Sequence, residues 1–239
     1  NMKTNLDGQV EYQYHNREIS CEMDEQLRTF EGYVRSDGRV GIRNEVWIIP
    51  TVGCVNQTAV KLAEQARETY GGLVDDIHAY THNRGCSQLT EDHRRTQEIL
   101  KGLVSHPNAG AVLVLSLGCE NNNLDEFIPL LGDYDQERIK FLVTQDVEDE
   151  YESGMALLEE LVGHAAGFER RTVPVSKLVL GFKCGGSDAF SGITANALCG
   201  KLNDAVVRQG ATTILTEVPE MFGAETLLME RTVDQTVFD

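Results

Sequence analysis

Short apolar segments alternate with amphipathic ones along most of the chain. Residues 46–50 and 111–117 have the composition of buried strands, and apolar residues recur at helical spacing after each. Four more strand segments are predicted at residues 77–81, 139–143, 178–182 and 212–215. This alternation predicts an α/β fold, Rossmann-like, with a mainly parallel sheet of about six strands and helices on both faces. A small hairpin with Asp37 and Gly38 at its turn precedes the sheet.

Composition limits both the organisation and the location of the protein. We interpret residues 1–28 as a polar arm or linker, beginning with what resembles a tag remnant, and residues 29–239 as the α/β domain. The net charge of −17 argues against a nucleic-acid partner, because phosphate binding needs clustered Lys and Arg. No apolar run is long enough for a membrane helix, so no membrane association is expected. Six cysteines without a secretory signal indicate a reducing cytoplasm.

Cysteines next to glycine follow several of the predicted strands. In open α/β sheets, ligands bind beyond the carboxyl ends of the strands, and glycine lets the backbone approach a ligand closely. A helix N-terminus beside a cysteine lowers the thiol pKa. We therefore predict that four cysteines converge on one site, and we interpret Cys21 and Cys199 as structural. The four are Cys54, Cys86, Cys119 and Cys184.

Polar residues flank these cysteines. His82 is a candidate metal ligand or general base, with a loop histidine on the surface as the alternative. Glu120, Asn121 and Asn122 are suited to binding hydroxyl groups, and a helix cap is the alternative for this segment. We interpret the other histidines of the region as packed or structural. These are His78, His93 and His106.

The segment Lys183 to Asp188 is the densest in functional groups. Lys183 is a cation for a carboxylate, and the backbone of Gly185 and Gly186 can bind an anion, with a Gly-rich turn as the alternative. Ser187 and Asp188 can bind hydroxyls or a metal. The segment has neither P-loop nor dinucleotide-binding spacing, which disfavours a Rossmann dinucleotide binder.

Charged residues elsewhere are weaker candidates. One of the three hairpin arginines is expected to clamp a carboxylate, with solvated surface as the default for the other two. These are Arg35, Arg39 and Arg43. Three glutamates late in the chain either face the pocket or form the acidic first turn of a helix. These are Glu217, Glu220 and Glu225.

Five stretches resemble the altronate/galactarate dehydratase family, from about residue 31 to the end of the chain. They are GYVRSDGRVGIRNEVWIIPTVGCVN, THNRGCSQL, HPNAGAVLVLSLGCENN, FKCGGSDAFSGITANAL and TEVPEMFGAETLLMERT. The letters CSQL and GCENN are closer to the altronate branch. Family members carry a β-clip domain before this region and more chain after it, so we expect the chain to be part of a catalytic region.

The resemblance implies dehydration of a C6 sugar acid, D-altronate giving 2-dehydro-3-deoxy-D-gluconate, with ferrous iron as cofactor. Manganese and an iron–sulfur cluster are the alternative cofactors. On this reading the four loop cysteines hold the metal, and His82, Lys183 and Glu120 are catalytic. The substrate-binding set is then Asn121, Gly185, Gly186, Ser187, Asp188 and Arg43. The family pattern also suggests a homodimer.

Three other functions stay open at this point. The same motifs resemble galactarate dehydratase and carbon–sulfur lyases of sulfo-acids. A different class is a thiol or iron–sulfur binding module without turnover. Activity toward each substrate, paired with an anaerobic iron and sulfide assay, separates these functions.

Overall fold

The computed structural model describes residues 13–15, 26, 28–183, 185–186, 188–217, 221 and 223–239. The chain divides into two compact units. The first unit is residues 30–173, and the second is residues 174–239 together with the residues before 30. Most of the predicted arm at 1–28, including Cys21, lies outside the described residues.

All six predicted sheet strands are present in the described part of the chain, along with three others. The strands are β1 (Thr29–Val34), β2 (Val40–Gly41), β3 (Glu45–Pro50), β4 (Ile77–Ala79), β5 (Ala109–Ser116), β6 (Ile139–Val143), β7 (Arg171–Pro174), β8 (Val179–Phe182) and β9 (Thr212–Leu215). The helices are α1 (Asn56–Tyr70), α2 (Thr90–Val104), α3 (Leu124–Leu131), α4 (Glu150–Ala166), α5 (Ala195–Arg208), α6 (Glu225–Met229) and α7 (Gln235–Phe238).

A four-stranded parallel sheet forms the centre of the first unit, in the order β4-β3-β5-β6. Every residue of β3 and of β5 is buried. Strands buried on both faces are continuous apolar runs, which is why the sequence identifies these two most clearly. The α/β fold class predicted from the sequence is confirmed, and the six predicted strands lie in two separate sheets.

Helices cover both faces of this sheet. Val46 and Ile48 of β3 point to one face and pack in a cluster with residues of α1 and α4. Trp47 and Ile49 point to the other face and pack with residues of α2 and α3. Because side chains alternate along a strand, one short segment contributes to both clusters.

The predicted hairpin is confirmed as β1 and β2, which pair antiparallel with Tyr33 opposite Gly41. Strand β7 adds to its other side and was not predicted. Only Val173 of β7 is buried, so the segment lacks the apolar run that indicates a strand. The carboxyl half of the chain contributes β8 and β9 to a separate two-stranded parallel sheet in the second unit.

Arg35 departs from the solvated surface expected for most of the hairpin arginines. It is only 4% exposed. Its guanidinium donates to the Pro107 carbonyl at 2.7 Å and to Asn44 Oδ1 at 3.0 Å, and it lies 4.6 Å from the ring centroid of Phe168. Burial, with the nearby charge of Arg138 adding to it, lowers the pKa of Arg35 to about 10. The residue therefore joins the hairpin to the amino end of the sheet.

Among the described helices, none combines the length and the apolar character that crossing a lipid bilayer requires.

Candidate functional site

Three loops at the carboxyl end of the first unit's sheet lie against one another. They follow β3, β4 and β5 and comprise residues 51–55, 80–89 and 117–123, and we call them the rim. The amide of Gly53 donates to the Arg84 carbonyl at 2.9 Å, which joins the first loop to the second. The amide of Asn122 donates to the Gly85 carbonyl at 3.2 Å, which joins the second loop to the third. These three loops therefore adjoin one another, whereas the convergence of the cysteine thiols on one site stays a prediction.

Glycine is required where two of these loops approach most closely. Gly85 has a φ of +98°, in the region that favours glycine, and a side chain there would overlap the carbonyl oxygen of Thr51. A β-carbon on Gly53 would lie 2.7 Å from the His82 carbonyl oxygen. These two glycines, each next to a rim cysteine, therefore allow close contact between the two loops.

Cys54, Cys86 and Cys119 are exposed on the rim, and each is a free thiol. The Cys86 sulfur lies 3.8 Å from Ser87 Oγ, and the Cys119 sulfur lies 4.0 Å from Gln145 Nε2. Within the described ranges, no three His, Cys, Asp or Glu side chains gather closely enough to hold a metal ion. The three described thiols therefore do not form a closed metal site by themselves, although thiolates are suitable ligands for iron.

Glu120, predicted as catalytic, is a buried hydrogen-bond acceptor, 4% exposed. Its Oε1 accepts from Thr51 Oγ1 at 2.5 Å and from Ser116 Oγ at 2.6 Å, and its Oε2 accepts from the Gly118 amide at 2.6 Å. Burial alone would raise the pKa of Glu120. The hydrogen bonds from Ser116, Thr51 and Gly118 outweigh that effect and hold the pKa below its ordinary value.

Both ring nitrogens of His82 contact backbone groups. Nδ1 accepts from the Arg84 amide at 3.1 Å. Nε2 lies 2.8 Å from the Pro50 carbonyl oxygen and therefore carries the proton, since the carbonyl can only accept. In this conformation the ring fastens the β4 loop to the end of β3, and acting as a base would require it to leave these contacts.

A cavity of about 530 Å³ opens beside Cys119. Besides Cys119, its lining consists of two glutamates and five residues with amide, hydroxyl or imidazole groups. These are Glu120, Glu126, Gln88, Thr90, His93, Asn121 and Asn123. Asn121 Oδ1 accepts from the Ser87 amide at 3.0 Å. The cap of α3 is Asn123, whose Oδ1 accepts from the Glu126 amide at 3.1 Å. The volume and the polar lining suit a small polyhydroxylated molecule.

The remaining predicted residues lie in the second unit. Lys183 Nζ lies 3.1 Å from Glu217 Oε1, and both line a cavity of about 690 Å³. Cys199, interpreted as structural from the sequence, is exposed and lines the same cavity.

The glycine-rich segment after β8 is described only in part. Gly185 and Gly186 are exposed, and a β-carbon added to either would meet no atom within 4 Å. Asp188 Oδ1 accepts from the Phe190 amide at 3.0 Å. Two residues of this segment, Cys184 and Ser187, lie outside the described residues, as does Glu220.

Arg43 is not brought to the rim. It directly precedes Asn44 and β3, at the amino end of the sheet, and forms an ion pair with Glu45. A six-residue strand such as β3 spans roughly 20 Å, so its two ends cannot share a small ligand. The position of Arg43 gives no support to its predicted role in substrate binding.

Sequence reasoning overlooked Thr51, and it did not predict the contacts that Asn122 and His93 make. Thr51 and Asn122 are fully buried, and Asn122 Nδ2 donates to the Thr51 carbonyl at 3.0 Å. Asn122 Oδ1 is buried with no hydrogen-bond partner among the described residues. His93, interpreted as structural, lines the cavity with Nε2 at 3.4 Å from Glu126 Oε2. Position after a strand was the available signal for Thr51.

Two family models match the chain. One is described as D-galactarate dehydratase/Altronate hydrolase, second domain, and matches residues 32–166. The other is described as D-galactarate/Altronate dehydratase, C-terminal, and matches residues 175–239. The boundary between the two matches coincides with the boundary between the two structural units.

Curated relatives match over most or all of the chain. It is 49% identical to altronate dehydratase of Bacillus subtilis (strain 168), covering 100% of this chain and 48% of the relative. It is 44% identical to altronate dehydratase of Escherichia coli (strain K12), covering 100% of this chain and 49% of the relative. It is 33% identical to galactarate dehydratase (L-threo-forming) of the same organism, over 87% of this chain and 43% of the relative. The chain thus spans about half the length of each altronate dehydratase.

Proposed function

The chain belongs to the D-galactarate dehydratase/altronate hydrolase family, and we propose that it carries part of the catalytic machinery of a sugar-acid dehydratase. The proposed reaction converts D-altronate into 2-dehydro-3-deoxy-D-gluconate and water. The higher identity to altronate dehydratases than to galactarate dehydratase favours altronate as the substrate.

The proposed reaction removes a proton and a hydroxyl group from neighbouring carbons. A base takes the C2 proton, an acid protonates the departing 3-hydroxyl, and the resulting enol tautomerises to the 2-keto acid. Negative charge grows on the carboxylate as the C2 proton leaves, so a cation near the carboxylate lowers the barrier. The site must therefore combine hydroxyl-binding groups, a proton acceptor and positive charge.

The observation that carries the proposal is the rim, where three cysteine-bearing loops meet beside a cavity lined by hydroxyl-binding side chains. Asn121, Gln88 and Thr90 line this cavity and are suited to binding the hydroxyls of a linear sugar acid. The N-termini of α2 and α3 border it through Thr90 and Asn123, and helix N-termini favour anions.

We assign the positive charge and the base to residues of the glycine-rich segment. Lys183 is our candidate for the group that stabilises the carboxylate or accepts the C2 proton, because the ring of His82 is engaged at both nitrogens. Gly185, Gly186, Ser187 and Asp188 are proposed to bind the substrate next to Lys183.

Ferrous iron is the proposed cofactor, with manganese or an iron–sulfur cluster as alternatives. Cys54, Cys86 and Cys119, as free thiols on adjoining loops, are the proposed ligands together with Cys184. A bound metal would supply Lewis-acid stabilisation of the carboxylate. We also propose a cytoplasmic homodimer, from the family resemblance and from the cysteine usage.

The test compares substrates and metals in a polypeptide that includes this chain, purified anaerobically. We expect turnover of altronate to exceed that of galactarate and of sulfolactate, and iron to copurify. Cys119→Ser is expected to lower both iron content and turnover by at least tenfold, whereas Cys199→Ser, in the second unit, is the matched control for iron content. Dehydration of galactarate in preference to altronate would reassign the substrate. Iron binding without turnover of any of the three acids would support the non-catalytic binding module instead.

A further inference from the structure

We propose that Glu120 is a positioning residue, whose buried carboxylate holds the three loops of the rim together. The proposal rests on the proposed function, because it gives the rim a reaction to serve. It assigns to Glu120 a different role from the acid–base role that the sequence suggested.

The carboxylate of Glu120 accepts four hydrogen bonds, from donors at the ends of two strands. Thr51 Oγ1 reaches it from the end of β3 at 2.5 Å. Ser116 Oγ at 2.6 Å, the Leu117 amide at 3.0 Å and the Gly118 amide at 2.6 Å reach it from the turn after β5. Oε1 accepts three of these hydrogen bonds and Oε2 accepts the fourth, and only 4% of the residue is exposed, at the edge of the cavity beside Cys119. Most of the accepting capacity of the carboxylate is therefore used within the rim.

Thr51 forms hydrogen bonds with the loop after β5 through both its side chain and its backbone. Its hydroxyl donates to Glu120, and its carbonyl accepts from Asn122 Nδ2 at 3.0 Å. Its amide donates to the Leu115 carbonyl at 2.8 Å, which continues the β3–β5 pairing one residue past the strand. The first and third loops of the rim are therefore joined by the side chains of Thr51, Glu120 and Asn122, and each of these residues is buried.

The two residues after Glu120 connect this arrangement, which we call the lock, to the β4 loop. The residue after Glu120, Asn121, accepts from the Ser87 amide at 3.0 Å. The next residue, Asn122, donates its amide to Gly85 at 3.2 Å. Because Cys119 directly precedes Glu120 and Cys86 lies between Gly85 and Ser87, movement of the Glu120 turn would change the spacing of these two thiols.

Only a carboxylate fits this pattern of donors. Glutamine has the same shape but replaces one oxygen with an NH₂ group, which would face the Gly118 amide in one orientation and the Leu117 amide in the other. A buried donor left facing another donor loses its hydrogen bond and cannot regain it from water. Glu120→Gln should therefore loosen the rim while leaving the sheet packed.

The first measurement is hydrogen–deuterium exchange on the 239-residue chain, resolved to residues 51–55, 80–89 and 117–123. In Glu120→Gln we expect exchange at least about tenfold faster in all three loops, the factor that a lost buried hydrogen bond gives to a local opening. Exchange in α4 should stay as in the wild type. Glu98→Gln, an exposed glutamate of α2 paired with Arg94, is the matched control.

A second pair of variants tests the same lock without touching the carboxylate. Thr51→Val removes the hydroxyl donor at nearly constant shape, whereas Thr51→Ser keeps it. We expect faster exchange across the rim for valine and near wild-type exchange for serine. These variants also decide the proposal if Glu120→Gln does not fold.

Kinetics then separate positioning from stability. In a polypeptide that includes this chain and turns over altronate, Glu120→Gln should lower kcat by about 10- to 100-fold and leave KM within about threefold, with Thr51→Ser restoring what Thr51→Val loses. Faster exchange confined to residues 117–120, or spread evenly over the first unit, would overturn the lock. Loosened loops in a chain without dehydratase activity would instead refute the proposed function and leave the lock standing.

Discussion

The two units of the chain have the same alternation of strands and helices, but they bury very different fractions of their apolar side chains. In the first unit, helices cover both faces of a four-stranded sheet, and two apolar clusters fill the space between. In the second unit, β8 and β9 pair only with each other among the described strands, and none of the described residues of α5 is buried. Apolar periodicity therefore predicts a strand or a helix, but not whether its apolar face is covered.

The exposed apolar residues of the second unit make the contrast concrete. Leu198 is 71% exposed, Val179 61% and Ile214 51%, whereas Leu113 and Val46 in the first unit are 0% exposed. Buried apolar area is the main favourable contribution to folding. We therefore expect the first unit to hold most of the chain's intrinsic stability.

The largest expected effect comes from emptying the centre of the first unit. Leu113→Ala should lower the free energy of unfolding by about 3 kcal/mol, through lost burial and a cavity in a closely packed core. Urea unfolding followed by Trp47 fluorescence measures this directly, because Trp47 is the one tryptophan of the chain and lies in β3.

The matched change in the second unit is Leu198→Ala. It should alter the same transition by less than about 0.5 kcal/mol, since the side chain is already exposed. Equal losses from the two leucines would contradict the difference between the units.

A smaller loss in the free energy of unfolding is expected from replacing Arg35, which attaches the hairpin to the amino end of the sheet. Arg35→Met keeps the length of the side chain but removes the donors to Pro107 and Asn44, leaving their oxygens without partners. We expect a loss of about 2 kcal/mol in the Trp47-monitored transition. Arg39→Met, in the same hairpin but half exposed and paired only with nearby Asp37, should change it by less than about 0.5 kcal/mol. Similar values for the two variants would refute the anchoring role of Arg35.

The smallest expected effect is on how the free energy of unfolding of the first unit depends on pH. Burial alone would raise the pKa of Asp76, but the Ile77 amide and the charges of His78 and Arg67 outweigh it and lower the pKa. A carboxyl group whose pKa is lower in the folded state than in the unfolded state stabilises the folded protein. This stabilisation is complete at pH values above the unfolded-state pKa, and it is lost as the pH falls through the folded-state pKa.

Asp76→Asn should therefore reduce the loss of unfolding free energy that occurs as the pH falls below about 4. The expected difference is less than about 1 kcal/mol, because the ion pair of Asp76 with Arg67 is partly solvated. Urea titrations at stepped pH measure this, with Asp204→Asn in α5 as the control. An unchanged pH dependence in Asp76→Asn would show that the carboxylate contributes nothing to folding.

The sequence predicted the elements of the fold well and their partners poorly. Residues 111–117 identify β5 because a strand buried on both faces must be apolar throughout. Strand β7 was missed because its pairing with β1 lies in backbone groups, which every sequence provides equally. The burial of Arg35 was missed for a similar reason, since its acceptor Pro107 is remote in sequence.

The candidate site shows the same division. That Cys54, Cys86 and Cys119 lie on adjoining loops followed from their positions after parallel strands, whose carboxyl ends share one edge. The role of Glu120 did not follow, because its partner Thr51 is 69 residues away and nothing in the local pattern marks either as buried. Side-chain chemistry identified the candidates, and only tertiary contacts distinguish a reacting group from a supporting one.

The central position of β3 has a consequence for how the protein is made. This strand pairs with β4 on one side and with β5 on the other, and β5 is translated long after it. At on the order of 5–20 residues per second, the ribosome needs several seconds to add the chain between Pro50 and Ser116. Throughout that interval the apolar residues 46–49 keep an open edge in the nascent chain. The speed of translation through residues 51–116 thus sets how long this segment is exposed to chaperones, or to mispairing with a neighbouring nascent chain.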